Sequence, residues 1–487
     1  MSANVLLVVL DTVRAKNTSL HGHANRTTPF LDEFARERAT WFTQARAPAA
    51  RSLDSHVSLL TGYPVAEHGV TGATDRLEPG HTVFETLSER GYRTGVFSEN
   101  NWLTDVDAGI KDAFDHVDGP RNVPFPEALD PTSFVVEHGQ GAYTEFLREA
   151  LRSDSPMKAV ANGATLKLGG EYANRLPRSL RPPTTTPGGE YLDLLLEWID
   201  SGTGQWAACL NLMDAHHPYE PGTEYDEWGG NRCRELQDEF DDVKWEFNGG
   251  QRPWWQRRAL EGLYDGTIRQ LDAVVERLVE ELRARGEFEE TLLVITSDHG
   301  EGFGEPSRVR PDTRVASHSD GLHEVLLHVP LVVKFPGQSD GRRITDAATV
   351  TGFSESVRRT LDGGDPAEAY TPERVLATVP GLDDRVRERA EAYCDDLTPF
   401  TGHGRIVYET VDGGVRKSVV WTSGDRRVER EIHVRDAQTA YVTGTDIGSR
   451  VEAAFADTVD RGVKTTAAPD EEMAEATRQQ LEDLGYV

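Results

Sequence analysis

Two acidic positions follow runs of β-branched and leucine residues. Asp11 ends the run Val5–Leu10, and Asp298 with His299 ends Thr291–Thr296. Open α/β sheets place ligand sites at the carboxyl ends of their strands. Two carboxylates and an imidazole brought together from neighbouring strand ends would hold a divalent cation. A single strand-end aspartate also reads as a turn or helix cap, but Ser297-Asp298-His299-Gly300-Glu301 is more specific. Ser52 stands just before a predicted helix, Leu53 to Thr61, that Gly62 ends. It reads either as an N-cap or as a nucleophile at a helix N-terminus, where amide groups stabilise an anion. His216 and His217 follow the run Ala207–Met213, and His318 and His323 precede Leu331. A histidine in either place could contact a transferred anion or protonate a leaving group.

These residues need a scaffold of strands and helices. Val5–Leu10 is continuously apolar, which suits a strand buried on both faces of a parallel sheet. Further strands are predicted at Arg93–Ser98, Ala207–Met213, Thr291–Thr296 and Leu331–Phe335. Thr82 and Glu85 form a capping-box pattern at a helix start. Tyr264–Gly286 carries Ile268, Leu271, Val275, Leu278 and Leu282 at helical spacing. Alternating strands and helices predict an α/β layered fold. Residues 118–190 are rich in proline, glycine and polar types and read as an insertion. Its basic stretch, 158–181, reads as solvated surface or as a face toward an anionic substrate. From about residue 371 the pattern changes to short strands (Arg405–Thr410, Arg416–Trp421, Glu429–Arg435) and a terminal helix at 471–484. The division expected is a larger domain, 1–370, and a smaller α+β domain, 371–487.

Composition limits the partners. The chain has 487 residues, 82 acidic against 52 basic, for a net charge of −30. Lysine occurs at only eight positions. An acidic, lysine-poor surface stays hydrated at high salt and predicts a halophilic protein. It excludes nucleic acid as a partner, since phosphate binding needs a basic face. Three widely spaced cysteines, Cys209, Cys233 and Cys394, suggest neither a disulfide framework nor a zinc ribbon. No run is long enough to span a bilayer and no signal-peptide pattern precedes the first strand, so a cytoplasmic location is expected.

In order along the chain, these segments resemble the sulfatase family of the alkaline-phosphatase superfamily. The resemblance rests on Asn4–Arg14, Thr27-Thr28-Pro29-Phe30-Leu31-Asp32, the helix from Ser52 to Leu59-Leu60-Thr61-Gly62, and His68-Gly69-Val70. Asp214 to Tyr219, Ser297 to Glu301, Val329-Pro330-Leu331 and Leu484-Gly485-Tyr486 complete it. It implies an alkaline-phosphatase-like three-layer αβα sandwich with a mostly parallel central sheet. It implies one divalent cation (Mn, Mg or Ca, with Zn as a further candidate) on Asp11, Asp298, His299 and the Ser52 hydroxyl. It also implies Ser52 as nucleophile, His216 and His318 at the transferred group, and His56, His217 and Arg14 about the substrate.

Two departures stand out. Many relatives carry two successive aspartates where this chain has Asp11-Thr12. The stretch Ser52-Leu53-Asp54-Ser55-His56 replaces the proline and arginine of the motif that is oxidised to formylglycine, so an unmodified serine is expected. The implied function is hydrolysis of sulfate esters, with a small anionic ester, such as a sulfated carbohydrate, as substrate. The alternatives are a phosphomonoester or phosphodiester hydrolase, or a phosphoglycerol-type transferase, of the same superfamily. A third reading is a non-catalytic metal- or anion-binding relative, toward which Asp54, a carboxylate near the anion pocket, points.

Overall fold

The computed structural model describes residues 3–120, 128, 129, 131, 134, 143–153, 155–168, 186–310, 313–318, 320–382 and 384–466. The expected helix at 471–484 and the terminal Leu484-Gly485-Tyr486 lie outside the described residues.

Eight strands form the main sheet: β1 (Asn4–Leu10), β2 (Thr40–Phe42), β3 (Arg93–Ser98), β4 (His116–Asp118), β5 (Trp206–Leu212), β6 (Thr291–Thr296), β7 (Leu331–Lys334) and β8 (Arg342–Ile344). Their spatial order is β8-β2-β7-β6-β1-β5-β3-β4. All pairings are parallel except those of β7, which runs antiparallel to β6 and β2. The unbroken apolarity of β1 has its reason here. Val5, Leu7 and Val9 face one core, and Leu6, Val8 and Leu10 face the other.

Helices cover both faces. On one side lie α1 (Ser52–Thr61) and α2 (Val83–Glu89), on the other α3 (Gly188–Asp200) and α4 (Glu261–Ala284). The stripe Ile268, Leu271, Val275, Leu278 and Leu282 is buried, as its spacing predicts. Each such side chain removed from water contributes about 1.5–3 kcal/mol. Thr82 caps α2 with both bonds of the capping box. The described part of the chain therefore has the three-layer α/β architecture, with a smaller antiparallel sheet beside it.

That second sheet has five strands in sequential order: β9 (Val375–Val379), β10 (His403–Val411), β11 (Gly414–Ser423), β12 (Arg426–Asp436) and β13 (Thr439–Gly444). The sequence shows only β10 to β12. β13 is a largely exposed edge strand without a clear apolar alternation, and β9 is short. Compactness divides the chain into residues 1–119 with 187–487, and residues 120–186. Within the latter, the helices Tyr143–Ala150 and Pro156–Leu168 meet through Phe146, Ala150 and Ala159.

Candidate active site

Register brings the acidic residues together. Val9 of β1 lies opposite Thr296 of β6 and opposite Asn211 of β5. Asp11 and Asp298 each stand two residues beyond that level, at the carboxyl ends of adjacent strands. Asp11, Asp298 and His299 are fully buried, and one ligand atom from each lies within 4.8 Å of the others.

The cluster has features of a cation site. Asp11 Oδ1 and Asp298 Oδ2 are buried with no donor in hydrogen-bonding geometry among the described residues. The other oxygen of each carboxylate is engaged. Asn100 and Asn211 donate to Asp11 Oδ2 at 3.0 and 3.2 Å. The amides of Thr12 and His299 donate to Asp298 Oδ1 at 3.2 and 2.9 Å. His299 Nδ1–H donates to the Gly300 carbonyl at 3.0 Å, which leaves the Nε2 lone pair for a ligand. Two hard oxygens and an imidazole nitrogen suit Mn, Mg or Ca, with Zn also compatible. Burial, then the charge of Asp298, pushes Asp11 up to about 7, against the pull of His299 and both asparagines. Burial also works against Asp298, but His299 and His56 outweigh it and hold its carboxyl below the usual range. A cation would relieve this crowding of charge.

Ser52 enters from α1. Its Oγ is 3.2 Å from His299 Nε2. The helix begins at Ser52 itself, after Arg51 in extended conformation, and has no side-chain cap. The N-cap reading of Ser52 is thus corrected: the residue is the first of the helix. All ten residues of α1 are buried, so its polar side chains must find partners inside. Ser55 Oγ donates to the Ala49 carbonyl and Thr61 Oγ1 to that of Val57, while Ser58 Oγ meets His68 Nε2. Gly62 ends the helix at φ +79°, a left-handed conformation that suits glycine.

Two further histidines, His318 and His216, follow from His299. The rings of His299 and His318 are 4.5 Å apart, and those of His318 and His216 are 5.2 Å apart. Burial lowers both His216 and His318, the latter to about 3 despite Glu301, so both rings are neutral at pH 7. Glu301 Oε2 lies 3.5 Å from His318 Nδ1, and Oε1 lies 3.2 Å from the buried Arg257. Lys244 Nζ donates to the His318 carbonyl at 3.0 Å and pairs with Asp320 at 3.1 Å, steadying the loop. His56 sits behind the cluster. Its Nδ1–H donates to the Ser52 carbonyl at 2.8 Å and lies 3.8 Å from Asp298 Oδ2.

Other residues lie elsewhere. Arg14 is fully buried, and its guanidinium is spent on Asn17, Glu261, Glu305 and the Glu301 carbonyl. It braces the strand end. His217 packs edge-on against Tyr219, with burial and Arg257 lowering it to about 3. Asp54 is buried, but Arg51 pairs with it at 2.9 Å. Burial raises it to about 6 against that pull. The repulsion of an anion expected from Asp54 is therefore largely neutralised. Thr12 Oγ1 donates to the Ala215 carbonyl at 2.6 Å, so it ties two strand ends together. Asn100, Asn211, Lys244, Arg257 and Glu301 are the neighbours that sequence reasoning missed. A polar residue inside a buried strand, as at Asn211, is the signal from which one of them was legible.

A carboxylate–imidazole cluster at the strand ends of a mostly parallel α/β sheet, with a helix-borne serine beside it, defines the class. Residues 3–353 match the family Sulfatase, and the chain belongs to that family. It is similar to the steryl-sulfatase of Mus musculus, 25% identical over 403 residues, which cover 73% of this chain and 61% of that protein. It is also similar to an ulvan-active sulfatase of Formosa agariphila, 24% identical over 355 residues, 71% of this chain and 59% of the relative. The chain thus matches about three fifths of the length of these curated relatives. The crystal structure of a phosphonate monoester hydrolase of Agrobacterium radiobacter shares the fold. Its TM-score is 0.54 at 17% identity, over 99% of this chain and 94% of that one. Among the described residues, no helix is long and apolar enough to cross a membrane.

Proposed function

We propose that this chain hydrolyses sulfate esters, with Ser52 as nucleophile and one divalent cation held by Asp11, Asp298, His299 and the Ser52 hydroxyl. One observation carries the reading: the Ser52 hydroxyl lies 3.2 Å from His299 Nε2, beside two buried carboxylate oxygens that meet no donor among the described residues. When bound, the cation would supply charge stabilisation and make the serine hydroxyl more acidic. The first amides of α1 would add to the stabilisation of an anion.

The residues supply the remaining chemistry. Ser52 Oγ attacks sulfur, and the bond from sulfur to the alcohol oxygen breaks. His216 or His318, neutral at pH 7, takes the serine proton and returns it to the leaving oxygen. Water then attacks the sulfur of the seryl ester, releases sulfate and restores the hydroxyl. The substrate is a small anionic ester. Names such as ulvan-active sulfatase among the relatives favour a sulfated carbohydrate. Residues 371–487 form the smaller domain of this reading.

A second reading, cleavage or transfer of phosphate esters, is favoured by the serine with His56 in place of arginine. One assay separates the readings. The protein, loaded in turn with Mn, Mg, Ca and Zn, is offered an aryl sulfate, an aryl phosphate and a bis-aryl phosphate. Ser52→Ala should lower turnover by roughly 10³-fold or more with folding intact. A variant that keeps most of its activity sinks the mechanism. Turnover of phosphate alone selects the second reading, and metal binding without turnover selects a binding protein.

A further inference from the structure

The loop between residues 307 and 323 carries His318 on one side and a separate pair, Arg310 and His323, on the other. Arg310 and His323 are only 7% and 8% exposed. Arg310 Nη2 donates to the Asp320 carbonyl at 3.1 Å, but its buried Nε and Nη1 meet no acceptor among the described residues. Neither ring nitrogen of His323 has a hydrogen-bond partner among the described residues. A guanidinium is charged at any pH a protein meets, and a charge buried without a counter-charge is costly.

Among the described residues, three neighbouring carboxylates are committed. Asp320 pairs with Lys244 at 3.1 Å, Glu305 with Arg14 and Lys16, and Glu324 with Lys417 and Arg46. The charges acting on His323 are mostly positive: Arg310, Lys417 and Arg308 against Glu305 alone. On the other side, the Arg310 guanidinium lies 5.4 Å from the ring centroid of Trp421 in β11. Asp320, which acts on Arg310, is shared with Lys244, and a water molecule would accept the orphaned hydrogens without adding counter-charge.

We propose that Arg310 and His323 bind a small monovalent inorganic anion, chloride in size, between the His318 loop and the second sheet. Near-complete burial favours a compact ion over the anionic group of a substrate. Bound there, the ion braces the loop that holds His318.

The test reads binding, not turnover, and so stands apart from the proposed ester cleavage. Thermal unfolding of the full chain is followed as sodium chloride replaces sodium methanesulfonate at constant ionic strength. The melting temperature should rise saturably with chloride, and Arg310→Gln should remove the response. Crystals grown in sodium bromide should show an anomalous bromine peak within hydrogen-bonding distance of Arg310. A melting temperature indifferent to chloride overturns the proposal, as does a response that survives in Arg310→Gln. Water or a substrate anion at the position, in place of bromide, overturns it too. Should Arg310→Gln fail to fold, the bromide map of the unaltered protein decides.

Discussion

Asn100 and Asn211 show how much a site depends on residues that would never touch its ligand. Both amides donate to Asp11 Oδ2, which leaves Oδ1 as the atom offered to a cation. They also draw down a carboxyl that burial pushes to about 7. Asn100→Ala should raise Asp11 further and weaken Mn binding about 10–100-fold, measured by calorimetric titration. Unchanged affinity would show that the asparagine does not orient the ligand. Histidines away from the site add to the response to acid. His68 donates from Nε2 to Ser58 Oγ and accepts the Val70 amide on Nδ1. His21 donates to Thr18 Oγ1 and accepts from Trp41 Nε1. Burial lowers both to about 3, so the folded rings stay neutral where unfolded ones take up protons. Their contribution is complete above about pH 6.5 and is lost as pH falls toward 3. Between pH 7 and 5.5 the two together should remove roughly 2–3 kcal/mol, read by urea denaturation. His68→Asn, which cannot be protonated, should shrink that difference.

Among the elements, the helix starts contrast. α2 has a complete capping box in Thr82 and Glu85, legible from four residues of sequence. Thr82→Ala should cost about 1 kcal/mol in equilibrium unfolding, and no measurable loss would mean that packing alone sets that start. α1 has no side-chain cap: the residue before it is Arg51, and its first residue, Ser52, faces His299. The helix is instead locked by burial on all sides and by its internal polar partners. Local propensity therefore marks α2 well, while α1 is legible by where glycine ends it and by the family pattern.

At the scale of the molecule, the second sheet supports the approach to Ser52. The Thr378 amide of β9 donates to the Pro48 carbonyl, and Gln44 Nε2 to the Arg435 carbonyl. Beneath these, Glu324 takes Lys417 at 2.8 Å, Arg46 at 3.0 Å and the Tyr408 hydroxyl at 3.1 Å. Lys417 and Arg46 are fully buried. Removing one member of such a network leaves the rest uncompensated, so Lys417→Met should destabilise by about 3 kcal/mol. A variant as stable as the parent would show that the network contributes little beyond packing.

Much of this was decided locally. Continuous apolar runs identified the buried parallel strands. Strand-end acids and Ser297 to Glu301 marked the carboxylate–imidazole cluster, and glycine after Thr61 marked the end of the helix behind Ser52. Such features depend on residues a few positions apart, which is the range over which sequence pattern reports structure. Tertiary structure decided the rest. The strand register that sets Asp11 level with Asp298 joins residues nearly three hundred positions apart. Thr12 takes a left-handed φ of 60°, costly for a β-branched residue, and is held there by its amide on Asp298 and its hydroxyl on Ala215. Arg14, which reads as a substrate contact, is diverted by Glu261 and Glu305. In each case the partner comes from a distant segment, and burial makes the interaction strong enough to override what the nearest neighbours in the chain suggest.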